Sequence, residues 1–315
     1  MRLQHWTKYL LSHRIQALAL TFIITFIPMI GVLGILFAAL VTIRKGIVEG
    51  AAFTIAATLP YCFIRLYVPG GEAVEPLFVW VAVAVGAFSN FMTWVLASML
   101  NRRASWSAVL QIAALLGVLL ISVVHLVYPD VFDWWANFLH SLSAQTPDAI
   151  TALKSNAMHA DADSMKEAQI QAINAAKWIA TGSVVGVTLL VSIMQLILAC
   201  WWEAIVFKPG SLRLGLRHIR LSPLAGVLFI ASLVFSYLGN AVVLDIMPVL
   251  YLLFCGAGLS LLHYFFGLLK TPVAWFWLVL LYATLILAMP ISVVAIATLA
   301  LLDIWLDFRR RFKKV

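Results

Sequence analysis

Apolar positions in this chain come in long continuous stretches, and short polar or charged interruptions separate them. Strict alternation is absent, so the pattern argues for helices rather than strands. A helix needs about 20 apolar residues to cross a bilayer. The runs Ile47 to Tyr67, Leu77 to Leu100, Trp106 to Tyr128, Trp178 to Val206, Pro223 to Leu238, Met247 to Leu269, Val273 to Met289 and Ser292 to Trp305 read as spans. The first run, Ile15 to Ile43, would be about 43 Å long as one helix, against a hydrocarbon core of about 30 Å. Pro28 and Gly31 lie near its middle, so it is expected to break there and return as a helical hairpin.

Charge orients these spans. Arg44 and Lys45, Asn101-Arg102-Arg103, the loop with Lys208, Arg213, Arg217 and Arg220, Lys270, and the ending Asp307-Phe308-Arg309-Arg310-Arg311 all fall on one side if the first run is a hairpin. Cytoplasmic loops carry the excess of Lys and Arg. The expected fold is therefore an all-α polytopic transmembrane bundle with about ten crossings, made of eight full spans plus the hairpin, with both termini cytoplasmic. The loop VPGGEAVEP carries Glu72 and Glu75 without a cation, as befits the opposite side.

The chain divides accordingly into a cytoplasmic N-terminus (1–14), N-terminal spans (15–128), an extracytoplasmic segment (129–176), C-terminal spans (177–308) with a basic loop at 207–222, and a basic tail (309–315). In the extracytoplasmic segment, Val131, Trp135, Phe138, Leu139 and Leu142 recur at helical spacing on an amphipathic stretch suited to the interface, with Trp134 and Trp135 in the aromatic belt. Thr146-Pro147-Asp148 then reads as a helix start. The Ala-rich polar sequence after it reads as one or two helices, the last running into the next span.

Composition fits a lipid-solvated chain. Of its 315 residues 64% are hydrophobic and 11% charged, and mean hydropathy is +1.03. Soluble domains are about 45–50% apolar and about 25% charged. The net charge of +8 is accounted for by the loop clusters, so no nucleic-acid partner is implied. Cys62, Cys200 and Cys255 are far apart and have no metal or disulfide spacing. The basic N-terminus lacks a small-residue cleavage site and reads as a retained end.

Ionisable residues within spans are functional candidates by default. Arg65 and Lys177 lie close to the outer ends of their spans and read as interfacial, while His125, three residues from the outer end of its span, reads as an interfacial or packed histidine rather than a ligand. In LACWWEAIVFKPGSLR, Glu203 follows two tryptophans at the inner edge, within reach of Lys208 or Arg213 across a Pro-Gly turn. Asp303 and Asp307 share a helix face four residues apart and would repel without a cation between them. Glu203, Arg213, Arg217, Asp303, Asp307 and Arg309 together suggest an electrostatic latch on the inner face, with a proton- or ligand-coupled site as the alternative. Asn90 and Gln195 are mid-span groups expected to hydrogen-bond across helices. Gly46-x-x-x-Gly50 and Ala52-x-x-x-Ala56 permit close helix approach. Asn240 and Asp245 are placed at an outer turn, and HADAD (His159 to Asp163) reads as a solvated stretch rather than a metal site. No P-loop, nucleophile elbow, HExxH or dinucleotide fingerprint is present, so no enzymatic activity and no cofactor are expected.

Three segments carry a family resemblance. LACWWEAIVFKPGSLRLGLRHIRLSP resembles the RWWQ, YNPGGF and RL pattern of the YybS-like family of bacterial multi-pass membrane proteins. LLDIWLDFRRRF resembles that family's C-terminal LLD and DFR pattern, and TIRKGIVEGA its LRRG turn. Glu203 stands where the family has glutamine, and Ser211 where it has glycine. The resemblance implies a bacterial inner-membrane protein distantly similar to the substrate-binding S components of energy-coupling-factor transporters. Such components bind a small vitamin-like ligand and dock to a membrane subunit with two ATPases.

Two functional expectations follow. One is a small-molecule binding or transport subunit, with Asn90, Asn240, Tyr251 and His263 as polar groups lining an outward cavity, and with a separate energising ATPase or other membrane partner. The alternative is a scaffold or assembly factor that docks a cytoplasmic partner on its basic inner face, with Trp201, Trp202, Arg213, Arg217 and Arg220 at the rim.

Overall fold

The computed structural model describes residues 2–27, 30–67, 76–145, 162–268 and 273–312, and every regular element within them is helical. Helices α1 (Arg2–Ser12), α2 (Arg14–Thr25) and α3 (Val32–Lys45) lead into α4 (Ile47–Tyr67), α5 (Pro76–Asn101) and α6 (Trp106–Val127). Next come α7 (Val131–Gln145) and α8 (Ala162–Ala176), which continues through a 3-10 turn at Lys177–Ile179 into α9 (Ala180–Val206). The rest comprises α10 (Ser211–Arg217), α11 (Pro223–Tyr237), α12 (Ala241–Leu268), α13 (Val273–Leu287), α14 (Met289–Leu306) and α15 (Phe308–Phe312).

Among the described residues, six helices are long and apolar enough to cross a membrane: Ile47–Tyr67, Val79–Asn101, Trp106–Val127, Glu167–Val206, Ala241–Leu268 and Met289–Leu306. Three further apolar helices, Arg14–Thr25, Pro223–Tyr237 and Phe276–Leu287, are shorter. A 15-residue helix is about 22 Å long, less than the core of about 30 Å. Large apolar side chains project outward along these helices, among them Leu126, Ile286 and Leu287. Exposed apolar surface on this scale would be unstable in water and is stable against lipid. The chain is a multi-pass membrane protein.

The break in the first apolar run lies where the sequence places it. Helix α2 stops at Thr25 and α3 starts at Val32, while Pro28 itself is outside the described residues. The two arms pack closely, since a Cβ on Gly34 would overlap the Thr25 hydroxyl. Helix α1 is a feature that hydropathy alone does not reveal. It ends at His13, whose non-helical φ of −113° and ψ of 78° turn the chain into α2. Thr7 of α1 is 1% exposed and accepts a hydrogen bond from the Trp202 indole at 3.0 Å.

Gly46 joins α3 to α4 with φ +114° and ψ 174°, a region open mainly to glycine. Its Cβ position faces open space, so Gly46 is a turn and not a helix contact, unlike the spacing-based expectation. Gly50 does pack closely, against Thr42. Ala56 is buried and Ala52 exposed, so the second small-residue pair is only half used for packing.

The chain forms two compact units, each assembled from separate stretches. Unit 1 comprises Met1–Ala113, Val187–Pro223 and Leu252–Val315. Its N-terminal core contains Phe37, Leu40, Val41, Phe53 and Ala57, with Trp202 packed against it. A ladder of polar contacts ties α4, α5 and α9 together: Asn90 Nδ2 donates to Thr58 Oγ1 at 3.1 Å, Ser89 and Ser192 meet at 3.2 Å, and Thr93 donates to Gln195 at 2.6 Å. Asn90 and Gln195 thus bond across helices as their mid-span position predicts, at about 0.6 kcal/mol each. Gly258 lets α12 meet the backbone of Ile296 on α14.

Unit 2 comprises Ala114–Gly186 and Leu224–Tyr251. In it, α7 turns Val131 inward at 4% exposure and hydrogen-bonds Trp135 to Thr181 at 2.9 Å, while Leu142 faces out. Trp135 therefore anchors α7 to α9, whereas Trp134 stacks on Phe138 at 5.2 Å. Helix α12 begins at Ala241, six residues ahead of the Met247 start expected from hydropathy. Asn240 caps it by accepting the Val243 amide at 3.1 Å, after Gly239 turns the chain at φ +83°. The predicted helix start at Thr146-Pro147-Asp148, the loop with Glu72 and Glu75, most of HADAD and Lys270 lie outside the described residues.

Candidate functional site

Unit 2 contains a buried acid–histidine pair. The early start of α12 places Asp245 inside the helix rather than at a turn, which corrects its expected position, and it is 0% exposed. Both carboxylate oxygens are used. His125 Nε2 on α6 lies 2.8 Å from Oδ2, and the Gly182 amide on α9 donates to Oδ1 at 2.7 Å. The His125 side chain is only 7% exposed, so it is packed rather than interfacial. Gly182 is required sterically, because a Cβ there would overlap the Asp245 carbonyl oxygen. A buried carboxylate is tolerable only when such partners satisfy it.

The pair has a defined surrounding. The His125 ring lies 4.8 Å from Phe132, and Phe132 lies 4.8 Å from Trp178. Lys177 sits 5.0 Å over the Trp178 ring and 3.7 Å from Asp133. With Asp245 ionised, a singly protonated His125 donates through Nε2, and the pair carries one negative charge. A second proton on Nδ1 makes the pair neutral.

Of the residues the sequence groups as an inner-face charge cluster, unit 1 brings Asp303, Asp307 and Arg309 together and adds Arg220. Arg309 Nε lies 3.5 Å from Asp303 Oδ2, close enough for an ion pair although Nε makes no aligned hydrogen bond. The other guanidinium nitrogens donate to the carbonyls of Arg217 at 3.0 Å and Ile219 at 2.7 Å. Arg220 pairs with Asp307 at 3.2 Å and donates to the Ile304 carbonyl at 3.1 Å. Asp303 Oδ1 accepts the Phe308 amide at 3.0 Å, while Asp307 caps α14 in the left-handed region at φ +46°. Two arginines thus keep the adjacent carboxylates apart. Burial pushes the Arg309 guanidinium below its ordinary value, and Asp303 partly restores it.

Two members fall outside this latch. Glu203 pairs with Arg44 at 3.6 Å rather than with Lys208 or Arg213. The α3–α4 turn brings Arg44 to it, a proximity remote in sequence. Arg213 is exposed on α10, and Arg217 contributes its carbonyl rather than its charge.

The four polar groups proposed to line a cavity each have a separate setting. Asn90 is bound to Thr58, and Asn240 serves as the cap of α12. Tyr251 packs edge-on against Phe229 at 5.5 Å. His263 donates Nδ1–H to the Leu259 carbonyl at 2.8 Å and accepts from Tyr282 at Nε2, 3.3 Å away. Among the described residues no hydrogen bond joins any two of the four. Among the described residues, too, no group of three or more His, Cys, Asp or Glu is arranged for a metal.

No family model, curated protein or solved structure matches the chain.

Proposed function

We propose that the chain is a bacterial inner-membrane transport protein that binds a small molecule and couples its movement to protonation of the His125–Asp245 pair. The observation that supports this reading most is a fully buried carboxylate bonded to a histidine within apolar helices. Each ionisable residue there costs about 2.5–3.5 kcal/mol by insertion scales, and such residues concentrate on ion and substrate pathways. Helices α6, α9 and α12 meet at the pair, so a change in its charge acts on three elements of unit 2 at once. The resemblance to the YybS-like family, through its distant similarity to transporter S components, suggests a small vitamin-like molecule as substrate. On this reading coupling lies within this chain, in contrast to the separate ATPase that the S-component analogy implies. Cytoplasmic termini and ten crossings complete the proposal.

The test is uptake by liposomes holding the purified protein, offered a mixture of small metabolites with or without an imposed pH gradient. Mass spectrometry of the lumen reads the result. Wild type is expected to accumulate at least one solute only with the gradient, and Asp245→Asn and His125→Gln to lose that accumulation while keeping a monodisperse elution profile. No gradient-dependent solute in wild type, or equal accumulation by Asp245→Asn, would overturn it.

The scaffold reading is favoured by α10, where Arg213 and Leu214 are both exposed. It expects a stoichiometric partner to co-purify from native membranes and to be lost in Arg213→Glu, with no gradient-driven uptake.

A further inference from the structure

A second site is formed at the basic end of unit 1. Lys8 of α1 and Arg44 and Lys45 of α3 line a shallow cavity of about 290 Å³ together with Ser12, Leu11 and Phe207. Arg44 is held in place there. Its guanidinium lies 4.2 Å over the Phe207 ring and 3.6 Å from Glu203. Among the described residues, no carboxylate lies within ion-pair distance of Lys8 or Lys45. Three cations against one carboxylate leave the cavity with two positive charges in excess.

The wall formed by α1 is anchored. Thr7 receives the Trp202 indole, and Gln4 donates to the Ile205 carbonyl at 3.4 Å. Trp6 on α1 and Trp201 on α9 are largely exposed. Tryptophans in that state settle at the depth of lipid headgroups. Leu11 and Phe207 add apolar surface beside the cations, as a ligand with a charged head and an apolar continuation requires.

We propose that this cavity binds the phosphate group of an anionic phospholipid headgroup. Basic pockets beside membrane helices favour such headgroups, and each Lys or Arg near the surface contributes about fivefold in affinity. The Ser12 hydroxyl donates to the Tyr9 carbonyl at 2.7 Å, so the attraction rests on the cations.

The test is a binding titration of the purified full chain in detergent with short-chain phosphatidylglycerol, short-chain phosphatidylcholine and inorganic phosphate. Phosphatidylglycerol is expected to bind more tightly than phosphatidylcholine. Lys8→Gln/Lys45→Gln should weaken it about twenty-fivefold, at about fivefold per lysine. Both side chains are exposed, so the variant is expected to fold, and an unchanged elution profile verifies this. Arg213→Gln removes an equally exposed charge outside the cavity and should leave affinity unchanged. Inorganic phosphate that displaces the lipid supports the phosphate group alone as the determinant. Phosphate that fails to displace it supports recognition of the whole headgroup. Equal affinity for the two lipids, or for wild type and the double lysine variant, would overturn the proposal.

Discussion

At the scale of single residues, depth decides what a charge does. Asp303 is 4% exposed and faces Arg309, whereas the Glu203–Arg44 pair has 13% and 34% of its side chains exposed. Breaking a buried pair by removing one partner costs about 3–5 kcal/mol, and an exposed pair is worth about 0–1 kcal/mol. Asp303→Asn should therefore lower stability by about 3 kcal/mol and Glu203→Gln, whose pair is only partly buried, by less, read from unfolding in detergent. Similar losses for both would refute the latch. At Gly182, a methyl group must displace the Asp245 backbone. Overpacking of this kind costs about 1–3 kcal/mol, so Gly182→Ala should lower the melting temperature clearly even though alanine favours helix. Asp303, Asp307 and Arg309 were legible as a cluster because they lie close along the chain. The His125–Asp245 contact was not, because 120 residues separate the two and nothing in the sequence pairs them.

At the scale of elements, boundaries were legible where charge or glycine marks them. Helices α4, α5 and α6 begin and end within one residue of the runs read from the sequence, since Gly46, Asn101 and Trp106 punctuate the chain there. The start of α12 was misplaced because Asn240 and the charged Asp245 ahead of the apolar run read as an outer turn, yet Asn240 initiates the helix earlier and Pro248 lies inside it. Proline inside a membrane helix is tolerated when neighbouring groups satisfy the backbone. Asn240→Ala should cost about 1 kcal/mol, the usual worth of an N-cap, and raise amide exchange at the start of α12. Unchanged exchange would show that the cap is dispensable. Helix α1 escaped notice because its sequence is short and basic. Its packing depends on Thr7 meeting Trp202, a residue far along the chain.

At the scale of the whole molecule, the basic clusters that the charge pattern assigns to one side are connected by direct contacts within unit 1. Asn101 donates to the Ile43 carbonyl at 2.9 Å, Arg44 meets Glu203, the Arg220 amide donates to Ser107 at 3.0 Å, and Arg309 reaches the Arg217 carbonyl. These contacts concentrate cations at one end of unit 1, while unit 2 buries the acid–histidine pair. The two proposals divide accordingly: a lipid headgroup at the basic end of unit 1 and a proton at the buried pair of unit 2. The proton response is the central claim. It is tested most directly by nitrogen NMR of the histidine side chains across pH, in wild type and in His125→Gln to assign the signal. The account predicts that His125 gains a second proton while the protein remains folded, and that Asp245→Asn shifts this transition. A His125 signal fixed in one protonation state across the folded range would contradict it.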